Sequence, residues 1–321
     1  MHARIIGTGR YLPEKVVTNA DLEQLVDTSD EWIRERTGIC ERRVAAEGQT
    51  TGDLAEQAAR IALEDAGVKP SEIDLLIVGT TTPDLVFPST ACLIQQRLGL
   101  SECGAFDVNA ACSGFIYALS IATQFIETGA ARRILVVGAE TLTRMIDWND
   151  RSTCVVFGDG AGAVVLQADS EPGVVSTHIH ANGNHADLLN VEVGVSKGFL
   201  AEPGGGLKVK MKGSEVFKVA VNTLGRIVDE TLAFNRMDKH DLDWLIPHQA
   251  NLRIIKATAR KLDMPMDRVV VTVDKHGNTS AASVPMALDV AVRSGRIQRG
   301  DHMLLEAFGG GFTWGTALVR Y

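Results

Sequence analysis

Val108-Asn109-Ala110-Ala111-Cys112-Ser113-Gly114-Phe115 sets a cysteine at the junction between an extended run and an amphipathic helix. Phe115, Ile116, Leu119, Ala122 and Ile126 follow at helical spacing and Gly129 closes the pattern, so Cys112 is expected at a helix N-terminus. Helix-end amides and the macrodipole stabilise an anion there, which predicts a lowered thiol pKa. Free cysteine is common core material, and Cys40, Cys92, Cys103 and Cys154 keep that reading. Two distant segments set Cys112 apart from them. Pro247-His248-Gln249-Ala250-Asn251 and His276-Gly277-Asn278-Thr279-Ser280 each offer a neutral hydrogen-bonding side chain in a turn after an apolar run.

The sequence also repeats itself. Phe157-Gly158-Asp159-Gly160-Ala161-Gly162-Ala163-Val164-Val165-Leu166 resembles the run Phe308-Gly309-Gly310-Gly311-Phe312-Thr313-Trp314-Gly315-Thr316-Ala317-Leu318-Val319. Leu63 to Val78 and Leu232 to Ile246 both read as helix, short polar turn, buried strand. A unit that occurs twice predicts a duplicated α/β fold rather than a solenoid. The halves, 1–170 and 171–321, would meet where Ala168-Asp169-Ser170-Glu171-Pro172-Gly173 supplies turn chemistry. Strands are expected at 74–79, 133–138, 162–166, 268–273 and 302–306, and helices at 51–66, 89–98, 113–128, 214–234, 250–262 and 281–293. The strands are continuously apolar, which suits sheets covered on both faces.

Composition narrows the function. The 321 residues include 31 glycines without a low-complexity run, so the excess implies close packing and tight turns. A net charge of −8 argues against general nucleic-acid affinity. No apolar stretch reaches the ~20 residues of a membrane span. Five cysteines, odd and irregularly spaced, and an opening Met1-His2-Ala3-Arg4 that runs straight into Ile5-Ile6-Gly7, predict a reduced cytoplasmic protein. Gly158-Asp159-Gly160-Ala161-Gly162 leads into a strand, whereas a dinucleotide fingerprint opens a helix, so its glycines are read as packing devices. His178 and His180 alternate on an expected strand without ligand-spaced partners, and no metal site is expected. His276, beside Asp274 and Lys275, reads as part of a solvated turn.

With Cys112, His248, Asn278 and Gly309-Gly310-Gly311 in hand, the chain resembles the thiolase-fold condensing enzymes, and among them the β-ketoacyl-acyl-carrier-protein synthase III family. The resemblance runs from Ile6-Gly7-Thr8-Gly9-Arg10-Tyr11-Leu12-Pro13 through Trp32-Ile33-Arg34-Glu35-Arg36-Thr37-Gly38-Ile39 to the C-terminal glycine segment. It implies an α/β, thiolase-like duplicated fold with a five-layered αβαβα core, usually as a homodimer. The implied reaction acylates Cys112 from a short acyl-CoA, then condenses that group with malonyl-acyl carrier protein, releasing CoA and carbon dioxide. No cofactor is implied. Backbone amides of Cys112 and Gly310 would form an oxyanion hole, and His248 and Asn278 would hydrogen-bond the malonyl thioester. Degradative thiolases carry a second cysteine two residues before the glycine turn; Ala307 stands there, so decarboxylation must supply the carbanion. Residues 182–213, with Pro203-Gly204-Gly205-Gly206, look longer than is usual between the halves.

The same resemblance implies the binding contacts. Trp32 and Arg36, four apart on one helix face, would bind CoA together with Arg151. Phe87, reaching in from the partner subunit, and Phe157 would shape the acyl pocket. Arg253, Lys256 and Arg260 fall along one helix face with Lys261 at its edge, and acidic acyl carrier protein is the partner implied for them. Three rivals remain. A Cys-dependent thioesterase would want a histidine base oriented by a third group. A non-catalytic partner subunit of the same fold would be expected to lack the nucleophile. A sister enzyme of secondary metabolism, or one joining long acyl chains, would differ in pocket volume, which a sequence does not give.

Overall fold

The computed structural model describes residues 1–197 and 207–321, so Pro203-Gly204-Gly205-Gly206 lies outside the described residues. Leu75–Gly79 is buried at every position, the continuous apolar pattern of a strand covered on both faces. It pairs in parallel with Arg133–Thr141 on one side and Gly104–Val108 on the other. Asp159–Asp169 runs antiparallel to Arg133–Thr141 and is followed by His2–Tyr11 at the edge.

A second sheet repeats those directions. Trp244–Pro247 is parallel to His302–Gly309, which is antiparallel to Thr313–Arg320, with Val174–Ala181 at the edge. A parallel bridge between Leu245 and Val269 stands where Gly104–Val108 stands in the first sheet. Two helices, Gly114–Glu127 and Ser283–Arg293, lie between the sheets and touch strands of both. Thr51–Ala66 and Thr90–Leu98 cover the outer face of the first sheet, Gly213–Asn235 and Leu252–Lys261 that of the second. The layers are therefore helix, sheet, helix, sheet, helix.

Local chemistry sets the helix ends. Thr50 and Asp53 form a capping box at the start of Thr51–Ala66, and Gly67 ends it in the left-handed region. Asn251 caps Leu252–Lys261 by accepting from Ile254 N. The strand expected at 268–273 forms only its bridge at Val269, after which the chain turns into the short helix Val273–His276. The amides of Thr272 and Val273 donate instead to Gln249 Oε1, at 2.8 and 3.0 Å, so a side chain replaces the missing strand partner.

The central helices start where backbones touch. A Cβ on Gly138 would stand 2.3 Å from the carbonyl oxygen of Ala281, so only glycine lets the first sheet meet the start of the second central helix. Gly138→Ala is accordingly expected to lower stability by about 1–3 kcal/mol, read as a fall in the urea midpoint. An unchanged midpoint would mean that the two surfaces part freely.

Candidate active site

Gly104–Val108 delivers the chain to a tight turn, Ala111–Ser113, which runs directly into Gly114–Glu127. Ala111 has φ +48°, a left-handed conformation that costs a residue with a Cβ and exposes the following side chain on a sharp bend. Two bonds clamp this turn to the glycine segment: Thr313 Oγ1 donates to Ala110 O at 2.6 Å and Ser113 Oγ to Thr313 O at 3.0 Å. Beneath it a Cβ on Gly309 would lie 2.6 Å from Cys112 N. The backbone of the second glycine motif is thus pressed against the turn that carries the thiol.

Cys112 sits at the helix start as expected, but its acidity does not follow the helix-end argument. The side chain is 8% exposed, and burial pushes the thiol up to about 12, with the Glu140 carboxylate adding to the rise and the Ser280 hydroxyl opposing it. Desolvation outweighs the macrodipole here, so the resting group is a thiol. Glu140 accepts from Thr81 N and Oγ1, Thr82 Oγ1 and Ser280 Oγ, and burial lifts it to about 7.

His248 follows Trp244–Pro247, its amide donating 2.7 Å to Glu306 O. Burial depresses the imidazole to about 3, which leaves it neutral. Asn278 is threaded against Phe157: its N donates to Val156 O at 2.9 Å, and Gly158 N donates to its O at 3.0 Å. Asn278 Oδ1 accepts from Ser280 N at 2.9 Å, which leaves Nδ2 as the outward donor. The segment from Asn278 to Ser283 therefore ties the site together, because Ser280 faces Cys112 and Ser283 lies 2.6 Å from His248 Nδ1.

Cys112, Ser280, Gly310 and Phe157 open on one cavity of about 950 Å³. Leu142, Met145, Leu189, Val191 and Leu207 form apolar parts of its wall, which sequence reading missed because their segments show no periodicity. Glu140 had a signal, a lone carboxylate ending the apolar run Ile134–Ala139. Phe87 does not reach this chain's cavity: it is 84% exposed, although its neighbours Leu85 and Val86 line the mouth. His276 departs from the solvated turn expected of it, being buried and depressed to about 4 by desolvation and nearby cations.

The remaining candidates gather outside. Arg36 and Arg151 lie over the Trp32 ring at 5.9 and 5.2 Å, and Arg151 donates 2.8 Å to Asp27 O. The helix of Trp32 and Arg36, Asp30–Thr37, ends at Gly38, whose backbone packs on Leu252, so this cluster adjoins the helix Leu252–Lys261. On that helix Arg253, Lys256 and Arg260 are exposed, while Lys261 is half-buried and paired with Asp229 at 2.6 Å. Lys261 is thus less available to a partner than its neighbours. His178 and His180 share Glu230, and no cluster of metal-ligating side chains occurs among the described residues. No helix among those residues is long and apolar enough to cross a membrane.

Two sheets of one topology around paired helices, with a cysteine at one helix start, put the chain among the thiolase-fold condensing enzymes. Known proteins narrow that class. The description 3-oxoacyl-[acyl-carrier-protein] synthase III matches residues 106–183, and its C-terminal counterpart matches 232–321. A β-ketoacyl-[acyl-carrier-protein] synthase III of Xylella fastidiosa is 68% identical, over 100% of this chain and 99% of its own. The solved 3-oxoacyl-[acyl-carrier-protein] synthase III of Aquifex aeolicus is 49% identical with a TM-score of 0.94, covering 99% of this chain and 100% of its own. The priming β-ketosynthase of the R1128 polyketide pathway is 38% identical with a TM-score of 0.94, over 99% of this chain and 96% of its own. The chain belongs to the 3-oxoacyl-[acyl-carrier-protein] synthase III family and is an acyl-transferring enzyme.

A histidine held near 3 does not titrate in the working range. In a Glu140→Gln background, which removes the carboxyl lifted to about 7, the rate of malonyl decarboxylation by the acylated protein, measured as carbon dioxide release, should be flat between pH 5.5 and 7. An inflection near 6.5, the ordinary histidine value, would show that His248 ionises during that step.

Proposed function

We propose that the chain starts fatty acid synthesis by decarboxylative condensation of a short acyl-CoA with malonyl-acyl carrier protein, as a cytoplasmic homodimer. Residues 1–170 form the half that carries the nucleophile, and 171–321 the half that carries the donor pair. The Cys112 thiol loses its proton and attacks the thioester carbonyl of the acyl-CoA; the tetrahedral oxygen is met by the amides of Cys112 and Gly310, and CoA leaves with a proton. Malonyl-acyl carrier protein then binds with its thioester carbonyl against His248 and Asn278. Carbon dioxide departs, the enolate is held by those two donors, and its carbon attacks the acyl-cysteine to give the 3-oxoacyl product and free Cys112. The observation that carries this reading is that the one segment Asn278–Ser283 sets Ser280 against Cys112 and Ser283 against a neutral, buried His248, while Asn278 Oδ1 is occupied and its Nδ2 is left to donate. Such a histidine and amide stabilise an enolate and take up no proton.

Trp32, Arg36 and Arg151 suit an adenine ring and phosphates, and Phe87 suits insertion into the partner's acyl pocket beside Phe157. A thioesterase is less well supported, because His248 Nδ1 meets a serine hydroxyl where a hydrolytic base wants a carboxylate or amide. A role in secondary metabolism shares the same chemistry and differs in primer, and the 68% identity to a β-ketoacyl-[acyl-carrier-protein] synthase III, against 38% to the priming ketosynthase of a polyketide pathway, favours the first reading.

The test separates the two half-reactions. Cys112→Ala should take up no acyl group from acyl-CoA by intact-protein mass, and stoichiometric labelling of that variant would overturn the assignment. His248→Ala and Asn278→Ala should each lose most of the condensation rate while Cys112 still accepts acyl groups. A parallel fall in both half-reactions would make His248 the base for Cys112 instead.

The exposed stripe Arg253, Lys256 and Arg260 is proposed to dock the acidic carrier protein, since complementary charge speeds encounter. Arg253→Glu should raise KM for malonyl-acyl carrier protein several-fold, more at low salt than at high, because exposed charges are screened over ~10 Å at 0.1 M. Primer acylation should change less. An unaltered KM at low ionic strength would move the docking site elsewhere.

A further inference from the structure

The segment Pro247-His248-Gln249 holds more order than the proposed chemistry uses. Gln249 is buried with its side chain fully engaged: Nε2 donates to Pro247 O and Val270 O, and Oε1 accepts from Thr272 N and Val273 N. That clamp fixes its own backbone, whose N–H donates 3.3 Å to Ser283 Oγ. The same oxygen lies 2.6 Å from His248 Nδ1.

A serine hydroxyl has one proton to give and two lone pairs to accept with. One lone pair of Ser283 is taken by Gln249 N–H. If Nδ1 carried the histidine proton, it would take the other, and the Ser283 proton would need a separate acceptor. Ser283 is 2% exposed, and among the described residues His248 Nδ1 is the acceptor within reach. Leaving a buried hydroxyl proton unpaired costs about 1–3 kcal/mol, enough to bias the alternatives strongly. With the serine donating, Nδ1 is a lone pair and the single imidazole proton resides on Nε2.

We propose that Ser283 is a positioning residue that selects the Nε2–H tautomer of His248 by donating its hydroxyl proton to Nδ1. The proposal rests on the reading of His248 as a donor to the malonyl thioester carbonyl. In the other tautomer Nε2 would turn a lone pair toward that oxygen and repel the enolate. Since the imidazole is neutral, charge cannot compensate, and tautomer alone decides whether the group helps or hinders. The second donor is fixed by the same logic, with Ser280 N–H occupying Asn278 Oδ1 so that Nδ2 faces outward.

The test reads the proton's position and the rate separately, on the full-length protein labelled with nitrogen-15 histidine. Long-range proton–nitrogen spectra of the unsubstituted enzyme should show His248 protonated at Nε2, with Nδ1 as acceptor. A proton on Nδ1 overturns the proposal, and this measurement stands even if a variant fails to fold. Ser283→Ala should give a mixture of tautomers and a condensation rate lower by roughly ten- to a hundredfold, while primer acylation of Cys112 is kept. A pure Nε2–H signal in Ser283→Ala would also overturn it. Mixed tautomers with an undiminished decarboxylation rate would uphold Ser283 as the selector and remove His248 from the enolate site.

Discussion

The site depends on how closely the central layer lets backbones approach. A Cβ on Gly79 would fall 2.7 Å from the carbonyl carbon of Gly114, and one on Gly162 would fall 2.6 Å from Met286 N. The first sheet therefore presses glycine against the starts of both central helices. Each helix is entered through a tight turn whose first residue has positive φ, Ala111 at +48° and Ser280 at +50°. Because both turns are seated on the same bare backbone, a thiol from one and hydrogen-bonding groups from the other meet at a single point. Any side chain added at that seat would separate them.

That packing also explains the electrostatics. Cys112, His248 and Glu140 are each desolvated by burial, so the imidazole is held neutral near 3, the thiol protonated near 12 and the carboxyl lifted to about 7. A site of neutral dipoles suits a reaction whose charge arises only in passing. Preoriented N–H groups stabilise a developing oxyanion without reorganising, and Leu142, Met145, Leu189 and Val191 supply the apolar part of the cavity wall. The cost falls on the first step, where the thiol must be ionised against burial. The helix start and the Ser280 hydroxyl are the features that ease it.

Much of this was legible because the duplicated pattern is written twice. The helices at 51–66, 89–98 and 281–293 were recovered nearly to the residue, since apolar spacing and caps agree there. The 268–273 run failed because its β-rich composition is overruled by Gln249, a partner remote in sequence that takes two of its amides. The thiol's acidity was misread for a related reason: a helix end is local, whereas burial is set by the whole fold. Phe87 illustrates a third limit, since its 84% exposure says only that this chain alone does not cover it.

The two entry turns show how one duplicated unit came to hold two different jobs. Aligned on their positive-φ residues, Ala111-Cys112-Ser113-Gly114 answers to Ser280-Ala281-Ala282-Ser283. The first copy places its functional atom on the second residue of the turn. The second copy has alanine there, whose carbonyl fills the space at Gly138, and puts its polar atoms on the flanking residues instead. Ser280 looks toward Cys112 and Glu140, and Ser283 toward His248. Two thiols facing each other across the seat would compete for the same substrate carbonyl and could oxidise together. One copy that carries the proposed nucleophile and another that carries only hydrogen-bonding groups avoids both outcomes while keeping the geometry that the duplication provides.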